Sequence, residues 1–259
     1  MIPPLPALLE TARQAAQAAG DHVLARLHRR DDAALVTRHD IKHTLDRESQ
    51  AVATDAIRRA FPGHAILGEE TAEAALPASD VRWVIDPIDG TINFAHGLPM
   101  WCVSVAAQAG GRSVAGVVLA PELGLRFEAL ADGPATCNGR PLRVSSTARL
   151  DHALVHTGAD RSEEAARAFR FLNRLAGIVQ RPRVIGSAAL DICWVAAGRT
   201  DAYFESGVFL WDIAAAGLIL ERAGGTGEVL HAGDGYKVAF LATNGLLHHG
   251  LRGVLAPLL

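Results

Sequence analysis

The chain has little with which to cross-link or anchor itself. Its 259 residues include only three cysteines, Cys102, Cys137 and Cys193. They lie far apart with no Cys-x-x-Cys pair, which fits reduced thiols in apolar packing positions better than a disulfide framework or a zinc knuckle. No apolar run approaches the ~20 residues that a bilayer-crossing helix needs. Met1 to Glu10 lacks the cationic start, apolar stretch and small-residue cleavage site of a leader, so a cytoplasmic protein is expected. An excess of one charge is missing too: 25 Lys and Arg face 28 Asp and Glu, a net charge of −3. That balance gives no bulk attraction to nucleic acid or an anionic membrane, and neither is expected as a partner; an acidic substrate has to be met by a local site. There is no internal repeat and no low-complexity tract.

What is present is an ordinary globular composition, 49% hydrophobic and 20% charged, long enough for one large domain or two closely packed halves. Leu5, Leu8, Leu9, Ala12, Ala16, Ala19, Val23 and Leu27 recur at helical spacing. A second helix is expected after Asp46, with Val52, Ala53, Ala56, Ile57 and Ala60 inward and a stop at Phe61-Pro62-Gly63. Residues 65–67 and 81–85 read as buried strands that end in acidic residues. Residues 103–130, broken by Gly110-Gly111 and Pro121 to Gly124, read as an antiparallel meander closed by Asp132-Gly133-Pro134. Beyond Ser145 the rhythm alternates: strands near 153–156, 184, 202–205 and 238–242, helices over 163–176, 188–197 and 213–223, and a closing helix. Gly224-Gly225-Thr226-Gly227 reads as a helix stop and turn. The expected class is therefore mixed, an α+β half over residues 1–145 joined to an α/β half over 146–259 in one catalytic unit.

Trp83-Val84-Ile85-Asp86-Pro87-Ile88-Asp89-Gly90-Thr91-Ile92-Asn93-Phe94 is the most informative stretch. A buried strand runs into two carboxylates three residues apart, with Pro87 holding a turn between them. Carboxylates that close repel unless a cation or proton lies between them, and oxygen donors without His or Cys suit magnesium or manganese. Gly90 leaves room for a ligand at the backbone, and Thr91 to Phe94 read as a short helix start that could receive a phosphate. The other reading is a helix-capping Asp86 and an Asp89 on a solvated turn; the spacing alone does not choose. Gly68-Glu69-Glu70 places further carboxylates at a buried strand end. Trp211-Asp212 opens an apolar helix, where capping is the plainer role for Asp212. Jointly, three element edges deliver acids to what could be one cleft.

With Asp46, Gly186-Ser187-Ala188-Ala189 and Asp201-Ala202-Tyr203-Phe204-Glu205, these strings resemble the inositol monophosphatase family in order and approximate spacing along nearly the whole chain. That family belongs to the magnesium-dependent, lithium-sensitive sugar and nucleotide phosphatases. The Asp-Pro-Ile-Asp-Gly-Thr string, with Trp-Asp downstream, is highly specific. The resemblance implies a layered α-β-α-β-α sandwich. It implies that Glu69, Asp86 and the Ile88 carbonyl bind one magnesium, and that Asp86, Asp89 and Asp212 bind a second, with Asp86 bridging; manganese is the implied substitute for magnesium. Glu70 would act behind these ligands or at a weaker third ion. Asp46, Glu69 and Thr91 would be catalytic, with Asp46 and Thr91 holding the attacking water. Asp89 and the Gly90 and Thr91 amides would meet the phosphate, and Gly186, Ser187, Ala188 and Glu205 the polyol.

Three departures stand out. The approach to Asp46, Asp40-Ile41-Lys42-His43-Thr44-Leu45, replaces the family's Val-Thr-x-x-Asp, and His43 is read as a phosphate contact or an exposed loop residue. Ile92 replaces a Thr and is expected to pack the short helix. Phe209 is read as a pocket wall or core. His248-His249 receive no role. The implied activity is hydrolysis of a phosphorylated polyol by metal-activated water without a phosphoenzyme, with myo-inositol 1-phosphate as the default substrate. Fructose 1,6-bisphosphate, histidinol phosphate and 3′-phosphoadenosine 5′-phosphate are the alternatives. The other class of function is a regulatory partner of the transcription or RNA machinery. A homodimer through the α+β half is expected.

Overall fold

The computed structural model describes residues 2–36, 41–71, 77–158 and 169–259, with Ala33, Ala34, Ile41 and Lys42 described by their backbone alone. Pro4 caps α1 (Leu5–Leu24), whose Leu8, Ala12, Ala15, Ala16, Ala19 and Val23 form a fully buried stripe. β1 (Ala33–Val36) and β2 (Ile41–His43) make a small antiparallel pair ahead of α2 (Thr44–Ala60).

A seven-stranded sheet follows: β3 (Ala65–Gly68), β4 (Val81–Asp89), β5 (Cys102–Ala109), β6 (Arg112–Ala120), β7 (Leu125–Leu130), β8 (Thr136–Cys137) and β9 (Arg140–Pro141), in that spatial order. The short helix α3 (Thr91–Ala95) lies between β4 and β5. The expected meander is present, but the sheet is mixed, because β3 pairs parallel to β4. Both faces are covered. Trp83, Ile85, Val103 and Val105 pack against α1 and α2, while Val84, Ala106 and Val118 face the other side, as the two-residue period of a strand requires.

The strands of the second sheet are β10 (Leu154–Thr157), β11 (Arg181–Arg183), β12 (Ala202–Phe209), β13 (Thr226–Ala232) and β14 (Lys237–Thr243). Their order is β11-β10-β12-β14-β13. Two helices, α5 (Ala188–Ala196) and α6 (Leu210–Arg222), fill the space between the sheets: Ile192, Val195, Ile219 and Leu220 share a core with Val118 and Phe127 of one sheet and Tyr203 and Phe240 of the other. On the outer face, α4 (Arg170–Ala176) and α7 (His248–Leu255) bury Phe171, Leu175, Leu251 and Leu255 against Val155, Phe204 and Leu241. The stacking is the α-β-α-β-α sandwich that the resemblance implied.

Several boundaries differ from the sequence reading. The helix read over 163–176 is described from Arg170, and residues 163–168 lie outside the described residues. The strand placed near 184 lies at Arg181–Arg183. α6 does stop at Arg222 and Gly224 has a positive φ, but Thr226 already opens β13, because a strand pairing with β14 replaces the simple turn. Among the described residues no helix is long and apolar enough to cross a membrane.

Candidate active site

The site begins with an irregular strand. β4 does not end at Ile85 in a turn. It continues to Asp89 through a bulge, where its register against β5 moves from Asp86 opposite Ser104 to Asp89 opposite Cys102. Proline has no N–H to donate to a ladder and is tolerated at such a bulge. Asp86 Oδ1 accepts the Ile88 amide at 3.0 Å, and Thr91 Oγ1 donates to the Ile88 carbonyl at 3.0 Å.

Asp89 reaches across to the other half of the chain. It accepts hydrogen bonds from Ser187 Oγ (2.6 Å), Ala189 N (2.7 Å) and Ala188 N (3.2 Å), and from Cys102 Sγ at 3.5 Å. It thus satisfies the open amides at the start of α5, where the helix dipole favours an anion. Asp46 and Asp212 share another device. Each is the third residue of its helix and accepts the backbone N–H of the capping residue, His43 at 3.0 Å and Phe209 at 2.8 Å, which fixes the carboxylate's rotation. α2 and α6 therefore both begin before these aspartates, earlier than their apolar periodicity suggested.

Ligand atoms of Asp86, Asp89 and Asp212 lie within 4.8 Å of one another. Burial, then repulsion from Glu69, Asp89, Asp212 and Asp46, pushes the Asp86 carboxyl well above the ordinary carboxylate range. Burial and the charges of Asp89 and Glu69 do the same to Asp212. Asp89 is raised by burial against the pull of Ser187 and the α5 amides. Acids so placed hold either protons or a cation, and an all-oxygen donor set fits a hard divalent ion.

These residues line a cavity of about 550 Å³ together with Glu69, Ile88, Gly90, Thr91, Gly186, Ala188 and Glu205. Ser187 is 1% exposed, and its hydroxyl holds Asp89. Asp46 is 3% exposed and does not line the cavity; its charge is the smallest of the four that help raise Asp86. Glu70 turns toward α2, where Arg47 Nε donates to it at 3.2 Å and Gln50 Oε1 accepts its amide.

Three readings need correction. Gly90 is not open to a ligand on its Cβ side: its φ is +93° and a Cβ would lie 2.9 Å from the Met100 carbonyl oxygen and 3.2 Å from that of Gly186. Ile92 does not pack the short helix but lines the cavity while 44% exposed. His43 is neither exposed nor on the cavity wall; it is 2% exposed and caps α2. Phe209 does line the cavity, stacked on Trp211 at 4.8 Å.

The sequence reading missed the supports. Asn93 Nδ2 donates to the carbonyls of Met100 and Ile185, both at 2.8 Å, and so ties α3 to the segment before α5. Tyr203 donates to Glu205 at 2.9 Å. Behind α5, His156 Nδ1 lies 2.6 Å from Asp191, whose carboxyl is pushed up to about 6 by burial although His156 opposes the shift. Asn93 and Tyr203 stood within quoted strings without being given this role; the His156–Asp191 pair carries no local pattern.

The chain matches the sequence model of the inositol monophosphatase family over residues 5–258. It is 38% identical over 233 residues to a protein of Pasteurella multocida named Nus factor SuhB, covering 88% of this chain and 87% of that protein. It is 38% identical over 221 residues to the inositol-1-monophosphatase of Synechocystis sp., covering 84% and 77%. The solved inositol monophosphatase from Anabaena (Nostoc) superposes with a TM-score of 0.84 at 36% identity, over 98% of this chain and 96% of that one.

Proposed function

Since the chain belongs to the inositol monophosphatase family, and is thereby a phosphomonoesterase hydrolase, we propose that it hydrolyses a small phosphorylated polyol, foremost myo-inositol 1-phosphate, with magnesium. The observation that carries this reading is the convergence of Asp86, Asp89 and Asp212 within 4.8 Å on the wall of a cavity that Glu69, Gly90, Thr91 and Glu205 also line.

In this reading Glu69, Asp86 and the Ile88 carbonyl hold one divalent ion, and Asp86, Asp89 and Asp212 another; manganese can substitute. When bound, such ions neutralise the phosphate oxygens, acidify a water and stabilise the leaving alkoxide. The chain's own work is placement. Asp46 and Thr91 orient the attacking water, and because Thr91 Oγ1 donates its proton to the Ile88 carbonyl, its oxygen faces the water as an acceptor. The Gly90 and Thr91 amides at the start of α3 meet the phosphate. Glu205, oriented by Tyr203, and the backbone of Gly186 and Ala188 receive the polyol hydroxyls; Ser187 serves this wall through Asp89. Residues 1–145 and 146–259 act as one catalytic unit, joined at Asp89.

The test is phosphate release with magnesium from myo-inositol 1-phosphate, fructose 1,6-bisphosphate, histidinol phosphate and 3′-phosphoadenosine 5′-phosphate. Greatest kcat/KM on the inositol ester is expected, preference for another ester reassigns the substrate, and release from none rejects the reading. The 38% identity to a protein named Nus factor SuhB supports a second reading, a regulatory partner of the transcription or RNA machinery. In that case Asp86→Asn abolishes phosphate release while partner binding persists. We also propose a homodimer, checked by sedimentation at micromolar concentration, and action in the cytoplasm.

A further inference from the structure

We propose that His43 is a positioning residue for the pair Asp46 and Thr91, a role that rests on the phosphatase reading above. His43 ends β2 and caps α2, and its imidazole has two fixed partners. Nδ1 accepts the Leu45 amide at 3.0 Å, and Nε2 lies 2.9 Å from the Arg30 carbonyl oxygen. An amide only donates and a carbonyl only accepts, so the ring carries its proton on Nε2. In return, Asp46 Oδ2 accepts the His43 backbone N–H at 3.0 Å. The residue that caps the helix is thus held by the carboxylate that the helix presents.

The same ring touches the other helix of the pair. It packs edge-to-face with Phe94 in α3, ring centroids 5.3 Å apart at 86°, three residues beyond Thr91. Phe94 is fixed from other sides by Trp101 at 5.2 Å and by the Arg30 guanidinium at 5.2 Å. Arg30 is held by Glu122, which also accepts Trp101 Nε1 at 2.6 Å. One buried side chain therefore spans the start of the Asp46 helix and the body of the Thr91 helix, and a water oriented by both depends on their separation.

The two nitrogens can be separated by substitution. Asparagine sets an amide oxygen near the Nδ1 position and keeps the cap. Glutamine reaches the Nε2 position and keeps the tie to Arg30 without the cap. His43→Ala, His43→Asn and His43→Gln are compared with wild type for kcat and KM on an ester that the wild type hydrolyses, at saturating magnesium and well below each Tm. For Ala and Gln, which keep neither the cap nor the ring against Phe94, kcat is expected to fall about tenfold or more with KM changed less than about twofold, whereas Asn, which keeps the cap but not the ring, loses about threefold. Wild-type kcat in the Ala variant, equal losses in all three, or Gln outperforming Asn overturns the role. Should Ala fail to fold, the Asn and Gln contrast decides alone. A wild-type chain that releases no phosphate from any ester overturns the phosphatase reading and this role with it; an active wild type with an unaltered Ala variant overturns the role alone.

Discussion

Gly90→Ala puts a methyl group where the two halves of the chain meet. The backbone there has φ +93°, and the new Cβ would sit 2.9 Å from the Met100 carbonyl oxygen, 3.2 Å from the Gly186 carbonyl oxygen and 3.2 Å from Ser187 Cβ. Left-handed backbone costs an alanine about 1–2 kcal/mol. Two of the three contacts are backbone atoms that cannot rotate aside, so overpacking adds about 1–3 kcal/mol. A loss of about 2–5 kcal/mol is expected in urea unfolding of the metal-free protein, with a fall in Tm of at least ~4 °C. Because relief must move Asp89 or Thr91, the neighbours of Gly90, kcat should fall about tenfold or more as well. A loss below about 0.5 kcal/mol would refute the steric argument, since that is the range of ordinary surface substitutions.

Other expectations follow from the same geometry. Asp86, Asp89 and Asp212 are raised in the folded state, so the metal-free fold binds protons that the unfolded chain has released. Its stability is highest near the unfolded carboxylate value of about 4 and falls as pH rises through the raised folded values. The pair of Glu48 with Arg29, which holds that carboxyl down to about 2, is lost only at lower pH. In EDTA the urea midpoint should therefore be higher at pH 5 than at pH 8, and saturating magnesium should remove or invert the difference; equal midpoints in EDTA contradict this. Ser187→Ala removes a 2.6 Å bond to a buried carboxylate and should cost about 1–3 kcal/mol in urea unfolding; an unchanged midpoint argues against it. Glu205→Gln should raise KM for myo-inositol 1-phosphate about tenfold, or ~1.4 kcal/mol, while β-glycerophosphate, with its three-carbon alcohol, is unaffected; equal effects on both esters would place Glu205 elsewhere.

Much of the molecule was legible because its signals are local. The stripe of α1, the β5 to β7 meander and the acid-bearing strand ends each announce themselves within a dozen residues. What escaped depends on distant partners. Pro87 reads as a turn until β5 is known to run alongside and absorb it as a bulge. Thr226 reads as a turn until β14 returns to pair with it. α2 and α6 start early because Asp46 and Asp212, as third residues, hold the backbone N–H of the capping residues His43 and Phe209, which apolar periodicity cannot reveal. The four donors to Asp89 include three that lie 98 to 100 residues away. His43 carried two local readings, and its burial under Arg30 and Phe94 belonged to neither.

Whether remote acids form one divalent-ion site is decided by calorimetric titration of magnesium into the metal-free chain, with Asp212→Asn alongside. Saturable binding by the wild type and its loss or strong weakening in the variant are expected, since Asp212 is the acid contributed to the ion site by the second half of the chain. No heat of binding in the wild type, or equal affinity in the two proteins, would contradict such a site.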